Sequence, residues 1–184
     1  MKTAIKILLL ALAYALSGKL GLRLAFLNAS ATAVWPPAGI ALAALLLLGY
    51  RVWPGVLLGA FMVNVATAGT VATSLGIAVG NTLEGLLAAY GVNRFAHGRE
   101  VFDDPYDIFK FAVLAALGST MVSPTIGVTA LALGGFAPWA GYGPIWLTWW
   151  LGDAGGIFMV APLLVLWGAH PRLRWSRKQP LKPA

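Results

Sequence analysis

The fold is decided by residues 146–162, which read Trp-Leu-Thr-Trp-Trp-Leu-Gly-Asp-Ala-Gly-Gly-Ile-Phe-Met-Val-Ala-Pro. The segment is apolar enough to cross a bilayer, yet it carries Asp153 well inside the apolar run. A carboxylate at the middle of a membrane costs about 2.5–3.5 kcal/mol. Such residues normally face the interior of a bundle, a wet cavity or a cation. We therefore predict a transmembrane helix here, with Asp153 turned away from lipid as a candidate functional residue.

Composition places the whole chain in a membrane. Of its 184 residues, 59% are hydrophobic and only 10% are charged, and the mean hydropathy is +0.80. Soluble domains carry about a quarter charged residues. No hydrophilic segment is long enough to form a second core, so we predict one domain over residues 1–168, followed by a basic tail over residues 169–184. The net charge of +7 could suggest nucleic-acid binding, but the basic residues lie at the ends of apolar runs, where membrane orientation explains them.

Apolar runs and breaks predict an all-α fold, a polytopic transmembrane helix bundle with six spans. Their approximate bounds are residues 4–26, 35–50, 53–68, 71–95, 108–133 and 145–167. The first run could also be a cleaved secretory signal, but it resumes after Lys19 and is longer than a signal needs, which favours an uncleaved helix. The second and third runs are short, so a re-entrant pair around Arg51 is the alternative. Pro124 predicts a kink in the fifth helix, with nearby hydroxyl groups covering the freed carbonyls.

The distribution of positive charge predicts the orientation. With both termini cytoplasmic, the outer loops at residues 28–34, 68–70 and 134–144 hold no lysine or arginine. The basic residues that then lie inside are Lys2, Lys6, Arg51, Arg94, Arg99, Lys110, Arg172, Arg174, Arg177, Lys178 and Lys182. This asymmetry is the positive-inside pattern, and we expect a multi-pass protein of the bacterial inner membrane.

Away from the predicted loops and cytoplasmic ends, four charged residues lie inside the apolar runs: Lys19, Arg23, Glu84 and Asp153. Small residues share their helical faces, which predicts that the charged groups face neighbouring helices. At ~1.5 Å per residue, the polar groups fall in an outward-facing half of the bundle, beneath Trp35. The candidate ligand-binding or signalling residues are Asp153, Glu84, Asn81, Asn64, Trp35, Trp149 and Lys19.

The same polar set has a structural interpretation, in which Asp153 pairs with Lys19 or Arg23 and only joins helices. Because interhelical hydrogen bonds contribute only ~0.6 kcal/mol on average, physical arguments leave these two interpretations about equal. Arg23 lies near the boundary and is better explained by snorkelling to the surface. The pair Trp149-Trp150 favours packing over a cofactor site. Two histidines near the inner surface are more typical of an interface than of a haem site, and no cofactor is predicted.

The sequence does not favour an enzyme. The histidines His97 and His170 are predicted at the inner surface, whereas the buried carboxyl groups lie farther out, so no Ser-His-Asp arrangement can form. The chain has no cysteine, which excludes a thiolate nucleophile and cysteine metal ligands. It also has no phosphate-binding Gly-Lys-Ser/Thr motif and no metal-spaced cluster.

Four short motifs together resemble a known family. They are Trp35-Pro-Pro-Ala-Gly-Ile-Ala41, Gly59-Ala-Phe-x-x-Asn64, Gly80-Asn-Thr-x-Glu84 and Trp149-Trp-Leu-Gly-Asp-Ala-x-Gly156. In order and spacing they resemble the N-terminal part of the membrane-associated sensor domain of MASE type 1. The resemblance implies an integral membrane input domain that, in bacteria, precedes histidine kinase, diguanylate cyclase or phosphodiesterase modules. Two-component or cyclic di-GMP signalling is the implied setting.

The leading hypothesis is therefore a sensory domain that binds a small ligand or senses the state of the membrane through its polar cluster. Its expected partners are the lipid bilayer, a small molecule, and a histidine kinase or diguanylate cyclase; a homodimer is a further candidate assembly. The alternative is a transport component, because size and span number resemble the substrate-binding subunit of energy-coupling-factor transporters. A purely structural assembly partner is the third hypothesis.

Overall fold

The computed structural model describes residues 2–67 and 69–169 and confirms an all-α fold. The predicted end of the third span at Ala68 and the predicted basic tail from residue 170 onward lie outside the described residues. The α-helices are α1 (Thr3–Leu22), α2 (Pro36–Leu48), α3 (Trp53–Val65), α4 (Val71–Phe95), α5 (Pro105–Phe111), α6 (Val122–Leu133) and α7 (Tyr142–Ala169). One small antiparallel hairpin, β1 (Ala25–Asn28) and β2 (Ala31–Thr32), follows α1.

The first helix is shorter than predicted, and the hairpin is the reason. The helix ends at Leu22 rather than at residue 26, because the chain then enters β1. Asn28 closes the tight turn by accepting a hydrogen bond from the Ser30 backbone N–H at 2.9 Å. Thr32 fastens the returning strand to the helix end by donating to the Gly21 carbonyl oxygen at 3.0 Å. The apolar residues 24–27 thus extend a strand instead of the helix.

Four helical segments are long and apolar enough to cross a membrane: Thr3–Leu22, Val71–Phe95, Pro105–Leu133 and Trp139–Ala169. Helices α2 and α3 each have 13 residues, or ~20 Å at 1.5 Å per residue, which is below the ~30 Å hydrocarbon thickness. Proline occupies the first turn of both helices, where its missing N–H group is not needed for a helical hydrogen bond. A 3₁₀ turn, Tyr50–Val52, joins them.

The segment Pro105–Leu133 departs from α-helical geometry before Pro124. A π-helical stretch, Ala112–Gly118, and a 3₁₀ turn, Ser119–Met121, separate α5 from α6. Hydroxyl groups bond to carbonyls in this region: Ser119 Oγ donates to the Ala115 oxygen at 2.6 Å, and Thr120 Oγ1 donates to the Ala116 oxygen at 2.7 Å. Hydroxyl groups therefore bond carbonyls within the irregular stretch, which lies before Pro124 rather than at the predicted kink.

Close helix packing depends on small residues. Helix α2 packs mainly on α7, α1 on α3, and α4 on both α3 and α6. Gly55 and Gly59 of α3 face α1, where an added Cβ would lie 2.7 Å from the Ile7 carbonyl oxygen and 2.8 Å from the Ala11 carbonyl oxygen. In the absence of a hydrophobic driving force between helices in lipid, such close approach supplies the packing energy.

The outer surface is apolar. On α1, a leucine at every fourth position from residue 8 to residue 20 has a side chain that is more than half exposed. These residues are Leu8, Leu12, Leu16 and Leu20. The outer face of α7 carries Met159, Leu163 and Trp167, which are 63%, 67% and 76% exposed. Because this arrangement is unfavourable in water and favourable in lipid, the fold is that of a multi-pass membrane protein.

Candidate functional site

The chain leaving the hairpin lies directly on α7. The Trp35 backbone N–H donates to the Gly152 carbonyl oxygen at 2.9 Å. A Cβ on Gly152 would overlap the Thr32 carbonyl oxygen, and a Cβ on Gly156 would overlap the Trp35 carbonyl oxygen. The two glycines that flank Asp153 therefore allow one backbone to lie against another at this point.

Asp153 faces Glu84 in the interior of the bundle. Its side chain is fully buried, and that of Glu84 is 2% exposed. Helix α7 brings Asp153 beside the Glu84 carboxyl group of α4, and α6 places Ser123 beside both of them. The Trp149 side chain, one turn earlier on α7, also lies next to Asp153. We call Glu84 and Asp153 the carboxyl pair.

The carboxyl pair is short of protein hydrogen-bond donors. Within the described part of the chain, neither Asp153 oxygen has a hydrogen-bond partner, and Glu84 Oε2 has none. Ser123 Oγ is also buried and unpartnered. Buried polar groups are normally satisfied, so a cluster of such atoms on three helices requires an explanation.

A hydrogen-bonded network borders the carboxyl pair. The Tyr14 hydroxyl of α1 donates to Asn81 Oδ1 of α4 at 2.8 Å and accepts from Trp35 Nε1 at 3.3 Å. The Tyr14 and Trp35 rings meet edge to face, with centroids 6.2 Å apart. Tyr14 is 1% exposed and lies close to both carboxyl groups. The network connects α1, the hairpin exit and α4 at the site.

Sequence reasoning missed Tyr14 and Ser123 as members of this cluster. Neither is among the candidate residues predicted above, although Tyr14 lies inside the first apolar run and Ser123 lies next to Pro124 in the fifth. A usable signal existed for Tyr14, because a phenol inside an apolar helix needs a hydrogen-bond partner when it is buried.

Two of the proposed site residues make other contacts. Lys19 is exposed and donates to the Ala66 carbonyl oxygen at 2.6 Å and to Thr67 Oγ1 at 2.9 Å, both after the end of α3. Asn64 is buried and donates to the Ala60 carbonyl oxygen of its own helix at 2.8 Å. An ion pair of Asp153 with Lys19 or Arg23 is not among the contacts of the described residues.

The ion pairs of the described residues lie elsewhere, around Asp107. Its carboxylate bonds to His97 Nδ1 and to Lys110 Nζ, the latter at 2.7 Å. His97 therefore has a structural partner at the end of α4, and His170 of the haem interpretation lies outside the described residues. The described ranges contain no group of three or more metal-ligating side chains. In the part of the chain that the structure describes, Asp107 pairs with a histidine and a lysine, whereas neither member of the carboxyl pair forms an ion pair.

Apolar helices surround a buried polar cluster and turn leucine-rich faces outward. This arrangement defines a polytopic membrane protein whose titratable groups include a pair in its interior. A family model matches residues 7–183, and the chain belongs to that family, MASE1. MASE1 is a family of membrane-associated sensor domains. No curated protein and no solved structure matched the sequence. The match covers nearly the whole chain, including every residue of the site.

Proposed function

We propose that the chain is the input domain of a bacterial signalling system in the inner membrane. It binds a small ligand or senses membrane state through the polar cluster around Asp153, and it acts on a histidine kinase or a diguanylate cyclase. The observation that carries this proposal is the carboxyl pair, because two buried acids lie side by side and no lysine or arginine of the described residues forms an ion pair with them. Membership of the MASE1 family supports the sensory role, and the carboxyl pair is the candidate site at which a stimulus acts.

A purely structural role accounts poorly for this arrangement. Interhelical hydrogen bonds in membranes contribute only ~0.6 kcal/mol on average, and a buried charge costs several kcal/mol unless it is paired. A residue that only joined helices would point at a donor, as Tyr14 and Asn81 do. Buried ionisable groups in membranes are by default functional-site candidates.

The cluster is well placed to change helix packing. It joins α4, α6 and α7 through Glu84, Ser123 and Asp153, and α1 and the hairpin exit through Tyr14 and Trp35. An occupant that binds one packing of these helices more tightly than another shifts the population between them. The shift would reach the output module through the ends of the helices.

Replacing Asp153 by asparagine tests this role. With the full chain fused ahead of a diguanylate cyclase module, we expect Asp153→Asn to change cyclic di-GMP output about fivefold or more, the lower range of allosteric couplings. The amide keeps the size of the side chain but loses the titratable group. The exposed loop residue Asp103 provides the control, and Asp103→Asn should leave output unchanged.

An Asp153→Asn fusion that inserts and folds with unaltered output would refute the proposal. A variant that only misfolds, with no separable output defect, would favour a structural role. Co-purification of the unfused chain with ATPases, together with uptake of a vitamin-sized solute, would favour the transport alternative.

We further propose six spans with both termini cytoplasmic. The absence of lysine and arginine from residues 28–34, 68–70 and 134–144 supports this orientation. Lys19 at the end of α1 bonds to the end of α3, which fits two helix ends on the same side. Helices α2 and α3 would cross through a locally thinned bilayer.

Single cysteines can test this topology without background, because the chain has none. A membrane-impermeant thiol reagent should label Ala140→Cys in intact cells. It should label Glu100→Cys and Trp53→Cys only after the membrane is opened. All three side chains are exposed. A Trp53→Cys chain that stays unlabelled from both sides would instead indicate a re-entrant α2–α3 pair.

A further inference from the structure

The negative charge of the carboxyl pair needs to be neutralised. Two carboxylates side by side cannot both remain ionised in a medium of low dielectric constant without a nearby cation. Of the chain's 13 lysines and arginines, Lys19 and Arg23 are the two that lie inside apolar runs away from the predicted cytoplasmic ends. The Lys19 ammonium group bonds to Ala66 and Thr67, and Arg23 is exposed at the end of α1. Among the described residues, neither carboxyl group forms an ion pair with a lysine or arginine, so in this part of the chain the compensating positive charge must come from another source.

Among the described residues, the helices packed around the pair place no positive charge beside it. Helices α2 and α3 and the segment from Ala112 to Leu133 contain no charged residue. On α7 the only charged residue is Asp153, and on α4 the only other one is Arg94, ten residues beyond Glu84 near the helix end. The groups that face the pair are the Tyr14 hydroxyl, the Ser123 hydroxyl and the Trp149 ring. They can orient a carboxyl group but cannot neutralise one.

Space around the pair is also limited. Asp153 is fully enclosed, and on either side of it the α7 backbone touches the backbone of residues 32–35. The Ser123 hydroxyl, 0% exposed and on a third helix, lies beside the same carboxyl groups and has no hydrogen-bond partner among the described residues. An organic ligand would need the helices to separate, whereas a proton needs no added volume.

We propose that Glu84 and Asp153 hold one proton between them and form a proton-binding site in the interior of the bundle. Binding takes one proton from water and neutralises one of two negative charges. The remaining charge is shared across a carboxyl–carboxylate hydrogen bond, which the Ser123 hydroxyl completes as a donor. Loss of the proton leaves two adjacent anions, which repel α4 from α7.

This inference deepens the proposed sensor function and rests on it for its physiological meaning: the stimulus is then proton concentration, or a membrane state that alters access of protons to the pair. The binding site itself can be tested without any output module.

Infrared difference spectroscopy on the full chain in phosphatidylcholine vesicles tests the site. A protonated carboxyl group shows a carbonyl stretch that ionised carboxylates lack. The other acidic residues, Glu100, Asp103, Asp104 and Asp107, all lie between residues 100 and 107, apart from the carboxyl pair. We expect a carbonyl band at neutral pH that is lost in one step as the pH rises, and that shifts in heavy water.

Variants assign the band. We expect Glu84→Gln or Asp153→Asn alone to shift it, because the proton then belongs to one carboxyl group, and the double variant to abolish it. Asp103→Asn should leave it unchanged. The double variant should still fold, because the two amide side chains have nearly the same size as the carboxyl groups and can hydrogen-bond to each other.

Three results would overturn the proposal. They are a band that persists in the double variant, a band unaffected by either single variant, and a band that appears only when choline replaces sodium in the buffer. The last would assign the pair to a metal cation instead. A proton-binding pair whose Asp153→Asn fusion has normal output would leave the site standing and refute only its sensory role.

Discussion

Replacing Gly156 by alanine is expected to prevent α7 from packing against the hairpin exit and α2. The new Cβ would overlap the Trp35 carbonyl oxygen, and the atoms in the way belong to backbone, which cannot rotate aside. Overpacking in a core costs about 1–3 kcal/mol and occasionally more, and we expect the upper end here. The measurement is the fraction of folded, monodisperse chain extracted from membranes, together with its thermal unfolding temperature.

The adjacent glycine gives a matched control. At Gly155 the nearest atom to an added Cβ is the Ala33 carbonyl oxygen, at 3.9 Å, which is an ordinary contact distance. Alanine is favoured over glycine inside a helix by about 1 kcal/mol, so Gly155→Ala should be neutral or slightly stabilising. Equal stability of the Gly155→Ala and Gly156→Ala chains would show that residues 32–35 do not lie on α7 as described.

Much of the fold follows from the distribution of apolar residues. Continuous apolar runs with glycine and proline breaks led to the correct fold class, and α4 was predicted with its observed bounds. The hairpin at Ala25–Thr32 was missed because residues 24–27 are apolar and continue the pattern of α1. Its signal was the short polar turn at Asn28 and Ser30, whose side-chain and backbone bonds compete with a helix.

The burial of two candidate site residues was predicted from the sequence. Burial of Asp153 and Glu84 follows from the cost of a carboxylate in lipid, and both residues are buried. Their mutual contact could not be predicted, because charge balance alone favoured pairs of opposite sign. A lysine near a helix end can reach loop carbonyls and the surface at little cost, and Lys19 does so. Which faces of α4 and α7 meet depends on the backbone contacts at Gly152 and Gly156, which only the folded chain reveals.

The second large effect concerns the energetic coupling between the two carboxyl groups. Glu84→Gln and Asp153→Asn should not have additive effects on the free energy of unfolding. Each substitution changes the environment of the remaining carboxyl group. The effect of the second substitution therefore depends on whether the first has been made. Residues in direct contact typically show coupling energies of about 0.5–3 kcal/mol, and distant residues add within about 0.3–0.5 kcal/mol.

The measurement that tests the account most directly is therefore a double-mutant cycle on the full chain in detergent micelles. The reference cycle pairs Glu84→Gln with Asp103→Asn, which lies in the exposed loop. We predict a coupling energy of at least about 1 kcal/mol between Glu84 and Asp153 and additivity in the reference cycle. Additive effects in both cycles would mean that the two carboxyl groups do not face each other, and the proposed site would not exist.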